Sequence, residues 1–195
     1  MRVVAGSAGG IQLEVPRRGV RPTMDRVKAA IFSSLADKVA GARVLDLFAG
    51  SGGLGIEALS RGAAFALFIE QDRQSIAVIE HNLAKTRLPG RVCQRDVFEF
   101  LPKFNSPDKF DLIFADPPYE QTMRGDRFTE RLLTDKNLPR LLAPGGVFVL
   151  EKRPREIFVE PKLWRTIRRK AYGATEVLFL ARVIPSEVEE SRRAT

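Results

Sequence analysis

Five short strand-like runs, four of them largely apolar, alternate along the chain with stretches of helical periodicity. This alternation constrains the fold more than any other feature. The runs cover residues 42–50, 64–70, 91–96, 110–116 and 145–152. Between them, LGIEALSRG reads as a helix stopped by Gly62, and residues 73–86 carry Ile76, Ile79, Glu80 and Leu83 at helical spacing. VFEFLPKF reads as a short helix, and residues 126–142 are helical apart from Pro139, which must bend or break them. Runs that are apolar throughout belong to strands covered on both faces, so an α/β fold with a mostly parallel sheet is expected.

The ends of the chain depart from the alternation. WRTIRRKAYG and TEVLFLARVI read as two final strands, an antiparallel pair. At the start, RVVA and IQLEV flank the turn GSAGG as a small β-hairpin. A basic loop then leads to Thr23, a good N-cap for a helix to about Ala36 with Val27, Ala30, Ile31 and Leu35 on one face. The expected division is a hairpin-and-helix extension over 1–40, one main domain over 41–184 and a polar, flexible tail over 185–195.

A chain of 195 residues can bury one large core without disulfide or metal staples. No apolar run approaches the roughly 20 residues of a membrane span, and the N-terminus lacks the apolar stretch of a signal peptide. One cysteine, Cys93, and one histidine, His81, exclude a disulfide framework and argue against a zinc site or a serine-protease triad. The expectation is a cytoplasmic, metal-free, monomeric protein. His81 is expected to face solvent and Cys93 to be a small core residue, while Trp164 could serve either the core or a base-stacking surface.

The first long run ends in Asp46-Leu47-Phe48-Ala49-Gly50-Ser51-Gly52-Gly53-Leu54-Gly55. A G-x-G-x-x-G turn between a strand and a helix lets a ligand approach the backbone without meeting a Cβ. Asp46 would repel a pyrophosphate but favours a positively charged amino-acid moiety. Glu70 closes the next strand, where a carboxylate can accept both hydroxyls of a ribose. Asp96 closes the third, where its carboxylate or the Val97 N–H could read an adenine edge, and it could equally cap VFEFL.

After the fourth run stands Asp116-Pro117-Pro118-Tyr119. Two prolines stiffen the loop and remove two N–H donors, leaving carbonyls exposed. The Asp116 carboxylate and the Pro117 carbonyl can accept the two hydrogens of a planar amino group. That draws its nitrogen toward tetrahedral geometry and frees its lone pair. Tyr119 can stack on a base extruded from its helix, worth about 1–3 kcal/mol.

The net charge of +8 is uneven. Residues 1–43 hold eight basic and three acidic residues, and so do residues 151–170, while the rest is close to neutral. Two basic segments flanking a neutral middle point to a polyanionic partner.

Together, D-x-x-x-G-x-G over 46–52 and the acidic strand ends Glu70 and Asp96 resemble the class I S-adenosylmethionine-dependent methyltransferases, whose Rossmann-like fold is a seven-stranded sheet ending in an antiparallel hairpin. Arg21-Pro22-Thr23-Met24-Asp25-Arg26-Val27, with the N-terminal hairpin and DPPY, is similar to the bacterial 16S rRNA guanine-N2 methyltransferase family over roughly residues 1–183. The resemblance implies methyl transfer to the exocyclic N2 of a guanine in 16S rRNA, within an assembling 30S particle. It implies a catalytic turn of Asp116, Pro117, Pro118 and Tyr119, with S-adenosylmethionine held by Thr23, Asp46, Phe48, Gly50, Ser51, Gly52, Glu70, Gln71, Asp96 and Val97. It places RNA contacts on Arg2, Arg17, Arg18, Arg21 and Arg26. One departure stands out: Gly9 and Ile11 occupy hairpin positions that are usually basic, so Arg17 and Arg18 would substitute.

Three alternatives compete. An adenine-N6 or protein-glutamine methyltransferase would use the same cofactor, although such enzymes usually carry Asn where this chain has Asp116. A nicotinamide-dependent reductase leaves the DPPY turn unexplained. A non-catalytic RNA-binding module would not depend on Asp116.

Overall fold

The computed structural model describes residues 1–16, 25–118, 127–154 and 162–183. Arg17, Arg18, Arg21, Thr23, Tyr119 and the tail lie outside the described residues.

Seven strands form one sheet in the order β3-β2-β1-β4-β5-β7-β6. They are β1 Arg43–Leu47, β2 Phe65–Glu70, β3 Arg91–Gln94, β4 Phe110–Ala115, β5 Leu142–Lys152, β6 Trp164–Tyr172 and β7 Thr175–Arg182. The first five pair in parallel, and β7 runs antiparallel between β5 and β6. The alternation of runs and the closing antiparallel pair therefore appear as expected.

Strand alternation divides the core between the two faces. Val44, Phe68, Leu112, Phe114, Val147 and Val149 pack with α1 (Asp25–Leu35), α2 (Gly53–Ser60) and α3 (Arg73–Thr86). Leu45, Ile69, Ile113, Ala115, Phe148 and Leu150 pack with α4 (Val97–Phe100), α5 (Phe128–Thr134) and α6 (Leu138–Leu141). Trp164 belongs to this second core: it is 3% exposed, with its ring 5.0 Å from that of Phe148. Cys93 is half-buried at the edge of that core, and the His81 side chain is exposed beside Glu14.

Two local expectations are revised. The helical stretch over 126–142 breaks into α5 and α6. The Asp135 carboxylate accepts the N–H groups of Asn137 and Leu138 at 2.7 and 2.9 Å, and Pro139 opens the next turn. Leu142, expected in the helix, already pairs with Phe110 in β5. The N-terminal hairpin is reduced to one antiparallel bridge, Arg2 to Gln12, with hydrogen bonds from Val3 N to Ile11 O and from Gly10 N to Val3 O.

That short arm is held by polar side chains of the main fold. The buried Glu57 carboxylate on α2 accepts from Val4 N at 2.7 Å and Ala5 N at 3.1 Å, and pairs with buried Lys28 at 3.4 Å and with Arg61 at 2.7 Å. Burial holds the Lys28 ammonium below its ordinary pKa, against the pull of Glu57. The Ser60 hydroxyl accepts from Ala8 N and donates to Ala5 O. At Gly6 a side chain is excluded, since a Cβ would stand 1.8 Å from the Ser60 carbonyl oxygen.

Candidate active site

In the strand order, the chain reverses direction of winding between β1 and β4. Ligands of open α/β sheets bind outside the carboxyl ends of the strands at such a switch point. Both informative turns lie there. Leu47 pairs with Ala115, so Phe48 and Asp116 leave adjacent strands at the same level. Ile69 pairs with Leu47, which puts Glu70 at that level on the other side.

The glycine-rich turn is shaped by its own backbone. Gly50 and Gly52 have φ of 56° and 77°, the left-handed region that glycine enters without penalty. Gly52 caps α2, and its N–H donates to Ala49 O at 2.7 Å. Gly55 has another role: a Cβ there would stand 2.3 Å from the Phe68 ring, so this glycine lets α2 pack closely on β2. Ser51 is buried, and its carbonyl accepts from Asn82 Nδ2 on α3 at 3.0 Å. The same amide accepts from Glu14 N at 2.8 Å and donates to Glu14 O at 3.0 Å, so Asn82 ties the N-terminal arm to the turn.

The acidic residues differ in environment. Asp46 is 2% exposed and accepts from Gly55 N at 2.8 Å. Burial pushes its carboxyl up to about 8; the Gly55 N–H opposes this, and the charges of Asp116 and Glu70 add to it. Glu70 accepts from Gly50 N at 2.9 Å with one oxygen and from Gln71 N and Asp72 N with the other. Asp96 caps α4, accepting from Phe98 N at 2.8 Å and Glu99 N at 3.1 Å. Gln71 is exposed and Val97 buried. Asp116 is half-buried, Pro117 buried and Pro118 exposed.

A stability prediction arises directly. Asp46 holds its proton in the folded state up to about pH 8 but releases it near pH 4 when unfolded. Its burial therefore costs stability increasingly from pH 4 to pH 8, and the cost is level above that. Asp46→Asn keeps an acceptor for Gly55 and removes the charge. In urea titrations the variant should gain on the wild type between pH 6 and pH 8.5. A gap independent of pH would contradict the shifted carboxyl.

Two features near the site escaped the sequence reading, which named Phe48 only as a cofactor contact and did not single out Glu151. Phe48 itself has φ of 56°, a left-handed backbone costing a non-glycine residue about 1–2 kcal/mol. Its ring meets Phe98 at 6.0 Å and Phe128 at 5.5 Å, and the Arg131 guanidinium lies 3.6 Å from the Phe98 ring centre. These rings come from the ends of β1, α4 and α5, so no local pattern announces them. Glu151 is the second. The β4–β5 pairing ends at Ala115 and Leu150, and the residue after Leu150 is Glu151, a carboxylate only 4% exposed. Arg2 pairs with Asp25 at 3.6 Å on the surface, and Arg26 is exposed.

The sheet order, the glycine turn at the switch point and the acidic strand ends define the fold of the class I S-adenosylmethionine-dependent methyltransferases. That fold recurs at 14% identity in SMU.776, solved with S-adenosylhomocysteine, with a TM-score of 0.64 over 85% of this chain and 50% of that one. The chain belongs to the family described as Conserved hypothetical protein 95, whose model matches residues 1–181. It is 35% identical over 175 residues to the Ribosomal RNA small subunit methyltransferase D of Escherichia coli K12, covering 89% of this chain and 85% of that protein. Among solved structures, the yhhF protein of Escherichia coli matches with 34% identity and a TM-score of 0.77, over 93% of this chain and 97% of that one.

Among the described residues no helix is long and apolar enough to cross a membrane, and no cluster of His, Cys, Asp and Glu is arranged to hold a metal ion.

Proposed function

We propose that this protein transfers a methyl group from S-adenosylmethionine to the exocyclic N2 of a guanine in 16S ribosomal RNA, within an assembling 30S particle. The observation that carries the reading is the meeting, at one switch point, of the glycine turn after β1 with the Asp116-Pro117-Pro118 turn after β4. The name of the 35% identical relative supports small-subunit rRNA as the substrate.

The donor set fits this cofactor better than a dinucleotide. Carboxylates at 70 and 116 gather at one sheet edge with Asp46, which ionises when a cation binds; this set repels a pyrophosphate and attracts a cation. Asp46 faces the cofactor's ammonium end, Glu70 accepts the ribose hydroxyls, and Asp96 and Val97 take the adenine edge. Phe48, Gly50, Ser51, Gly52 and Gln71 line the path between, and Thr23, outside the described residues, completes it. The cofactor supplies the methyl as a sulfonium, a strong electrophile.

The residues of this chain then position the acceptor. Asp116 and the Pro117 carbonyl take the two amino hydrogens, localise the nitrogen lone pair and aim it at the methyl carbon. As the nitrogen–carbon bond forms, the bonding pair of the old bond stays on sulfur. The surplus proton on nitrogen is stabilised by Asp116 and leaves through it to water. Tyr119 stacks on the extruded base.

Binding a cationic cofactor favours the ionised form of Asp46, which the free protein holds protonated below about pH 8. Affinity for S-adenosylmethionine should therefore rise by up to about tenfold per unit between pH 6 and pH 8 and then level. Calorimetry in buffers of different ionisation enthalpy should detect close to one proton released near pH 7; none would contradict this role for Asp46.

Arg2, Arg17, Arg18, Arg21 and Arg26 form the first RNA grip. The second is narrower than the charge count of 151–170 suggests. Lys152 is buried and pairs with Glu176 at 2.8 Å, and Arg169 pairs with the same carboxylate. Arg165 and Arg168 are exposed on β6, the edge strand. Charged edge strands also prevent sheet-to-sheet association. Arg165→Glu with Arg168→Glu should weaken rRNA binding and reduce its salt slope by about one per lost phosphate contact. An unchanged slope would leave these arginines with edge protection alone.

The reading is tested by incubation with labelled S-adenosylmethionine and three substrates: free 16S rRNA, small-subunit particles and complete ribosomes. Label should enter the rRNA of small-subunit particles in preference to the others. Label recovered in protein, or in no ribosomal RNA, would overturn it.

A further inference from the structure

We propose that Glu151 is the residue that selects guanine, by accepting the base's N1–H while Asp116 holds the neighbouring N2 amino group. The inference rests on the guanine reading above and assigns a specificity determinant to it.

The placement comes from sheet register. Ala115 and Leu150 are the last partners of the parallel β4–β5 pair, and Asp116 and Glu151 are the residues that follow them on the two chains. Partner residues on neighbouring parallel strands share a face and stand about 4.8 Å apart. The face is that of the first core: Val147 and Val149 precede Glu151 at alternate positions, as Leu112 and Phe114 precede Asp116. Asp46, partner of Phe114 across β1–β4, lies on the same face. The next residue of β5, Lys152, turns to the opposite face and meets Glu176 there. Glu151 is thus a carboxylate 4% exposed, one strand away from the amino-group acceptor, at the carboxyl end of the sheet.

The chemistry of the base supplies the rest. On its Watson–Crick edge guanine presents the N2 amino group and, on the adjacent ring atom, the N1–H donor. An acceptor beside Asp116 meets that donor. Adenine presents a lone pair at N1 next to its amino group, and a glutamine amide presents its carbonyl oxygen. Either would set a lone pair against a buried carboxylate, an unpaired arrangement that is penalised heavily inside a protein. A site built to bond an N–H rejects an analogue that lacks it far more strongly than an apolar pocket rejects a missing methylene.

The test uses 2-aminopurine, which keeps the N2 amino group but carries a lone pair at N1. Small-subunit rRNA is assembled with either guanine or 2-aminopurine at the methylated position, and kcat/KM is compared. The wild type should prefer guanine by about 100-fold or more. Glu151→Gln, whose amide can donate to the N1 lone pair, should shrink the preference below about tenfold by losing on guanine and gaining on 2-aminopurine. Equal losses on both substrates would assign Glu151 a structural role and overturn the inference. So would a wild-type preference under about tenfold, which decides the matter even if the variant fails to fold. A wild type that methylates no guanine at all would instead overturn the functional reading.

Discussion

Asp116→Ala should lower kcat/KM for methyl transfer to rRNA by about 1,000-fold or more, while affinity for S-adenosylhomocysteine stays within about fivefold. The rate loss corresponds to roughly 4 kcal/mol of transition-state stabilisation. It reflects two separate contributions from one carboxylate. In the proposed reaction Asp116 localises the lone pair of a nitrogen otherwise conjugated with the ring, and it faces the positive charge that grows on that nitrogen. The proposed cofactor contacts lie mainly across β1, β2 and α4, so they should survive the change. The Asp116 charge also helps raise the Asp46 carboxyl. Its removal should therefore move the pH midpoint of cofactor binding downward. Single-turnover transfer and calorimetry separate these effects. A variant that loses cofactor binding as completely as activity would show that Asp116 belongs to the cofactor site.

The largest effect on stability is expected at Glu57. Its carboxylate serves two backbone N–H groups of the N-terminal arm, the buried Lys28 and Arg61. Glu57→Ala leaves an ammonium without its carboxylate in a fully buried position and two amides without their acceptor. Breaking a buried pair in this way costs about 3–5 kcal/mol. For a chain of this size that is a fall in Tm of roughly 6–20 °C. Hydrogen exchange at Val4 and Ala5 should accelerate more than exchange in the central strands, because the arm loses its clamp first. A loss below about 1 kcal/mol would mean that the arm is held by its apolar contacts alone. Replacing Lys28 as well, Lys28→Met with Glu57→Ala, should recover part of the loss, since the stranded charge is then gone.

The parts of this structure that were legible in the sequence are those in which cause and effect lie close together along the chain. The four inner parallel strands are largely apolar runs bounded by their own turns, while β3 at the edge, Arg91–Gln94, is half polar. The glycine turn declares itself because glycine alone enters the left-handed backbone freely, and the Asp116-Pro117-Pro118 turn because proline fixes the backbone where it stands. The helix end at Gly62 and the cap at Asp96 are local in the same sense. What stayed hidden depends on partners far away. Glu57 reads as one polar residue in a helix, yet its amide partners are 52 and 53 residues distant. Asn82 has the ordinary look of a helix surface, but its partner Glu14 is 68 residues away and it is wholly buried. The role proposed for Glu151 depends on a register of β4 and β5, ending at Ala115 and Leu150, that the sequence does not show. The break between α5 and α6 fell between these cases. Pro139 signalled it, but the side chain of Asp135 fixes where it occurs.

The basic flanks also changed in meaning. Lys28 and Lys152 contribute to the charge count of the two segments, yet both are buried and paired with carboxylates. The charge available to RNA is correspondingly smaller and more localised than composition implies.

The central claim is that the Asp116 turn delivers a methyl group to the N2 of a guanine. It is tested most directly by identifying the product. Small-subunit particles are methylated with labelled S-adenosylmethionine, the rRNA is digested to nucleosides, and the labelled nucleoside is matched by chromatography and mass spectrometry. The account predicts N2-methylguanosine from a single position; N6-methyladenosine would contradict it.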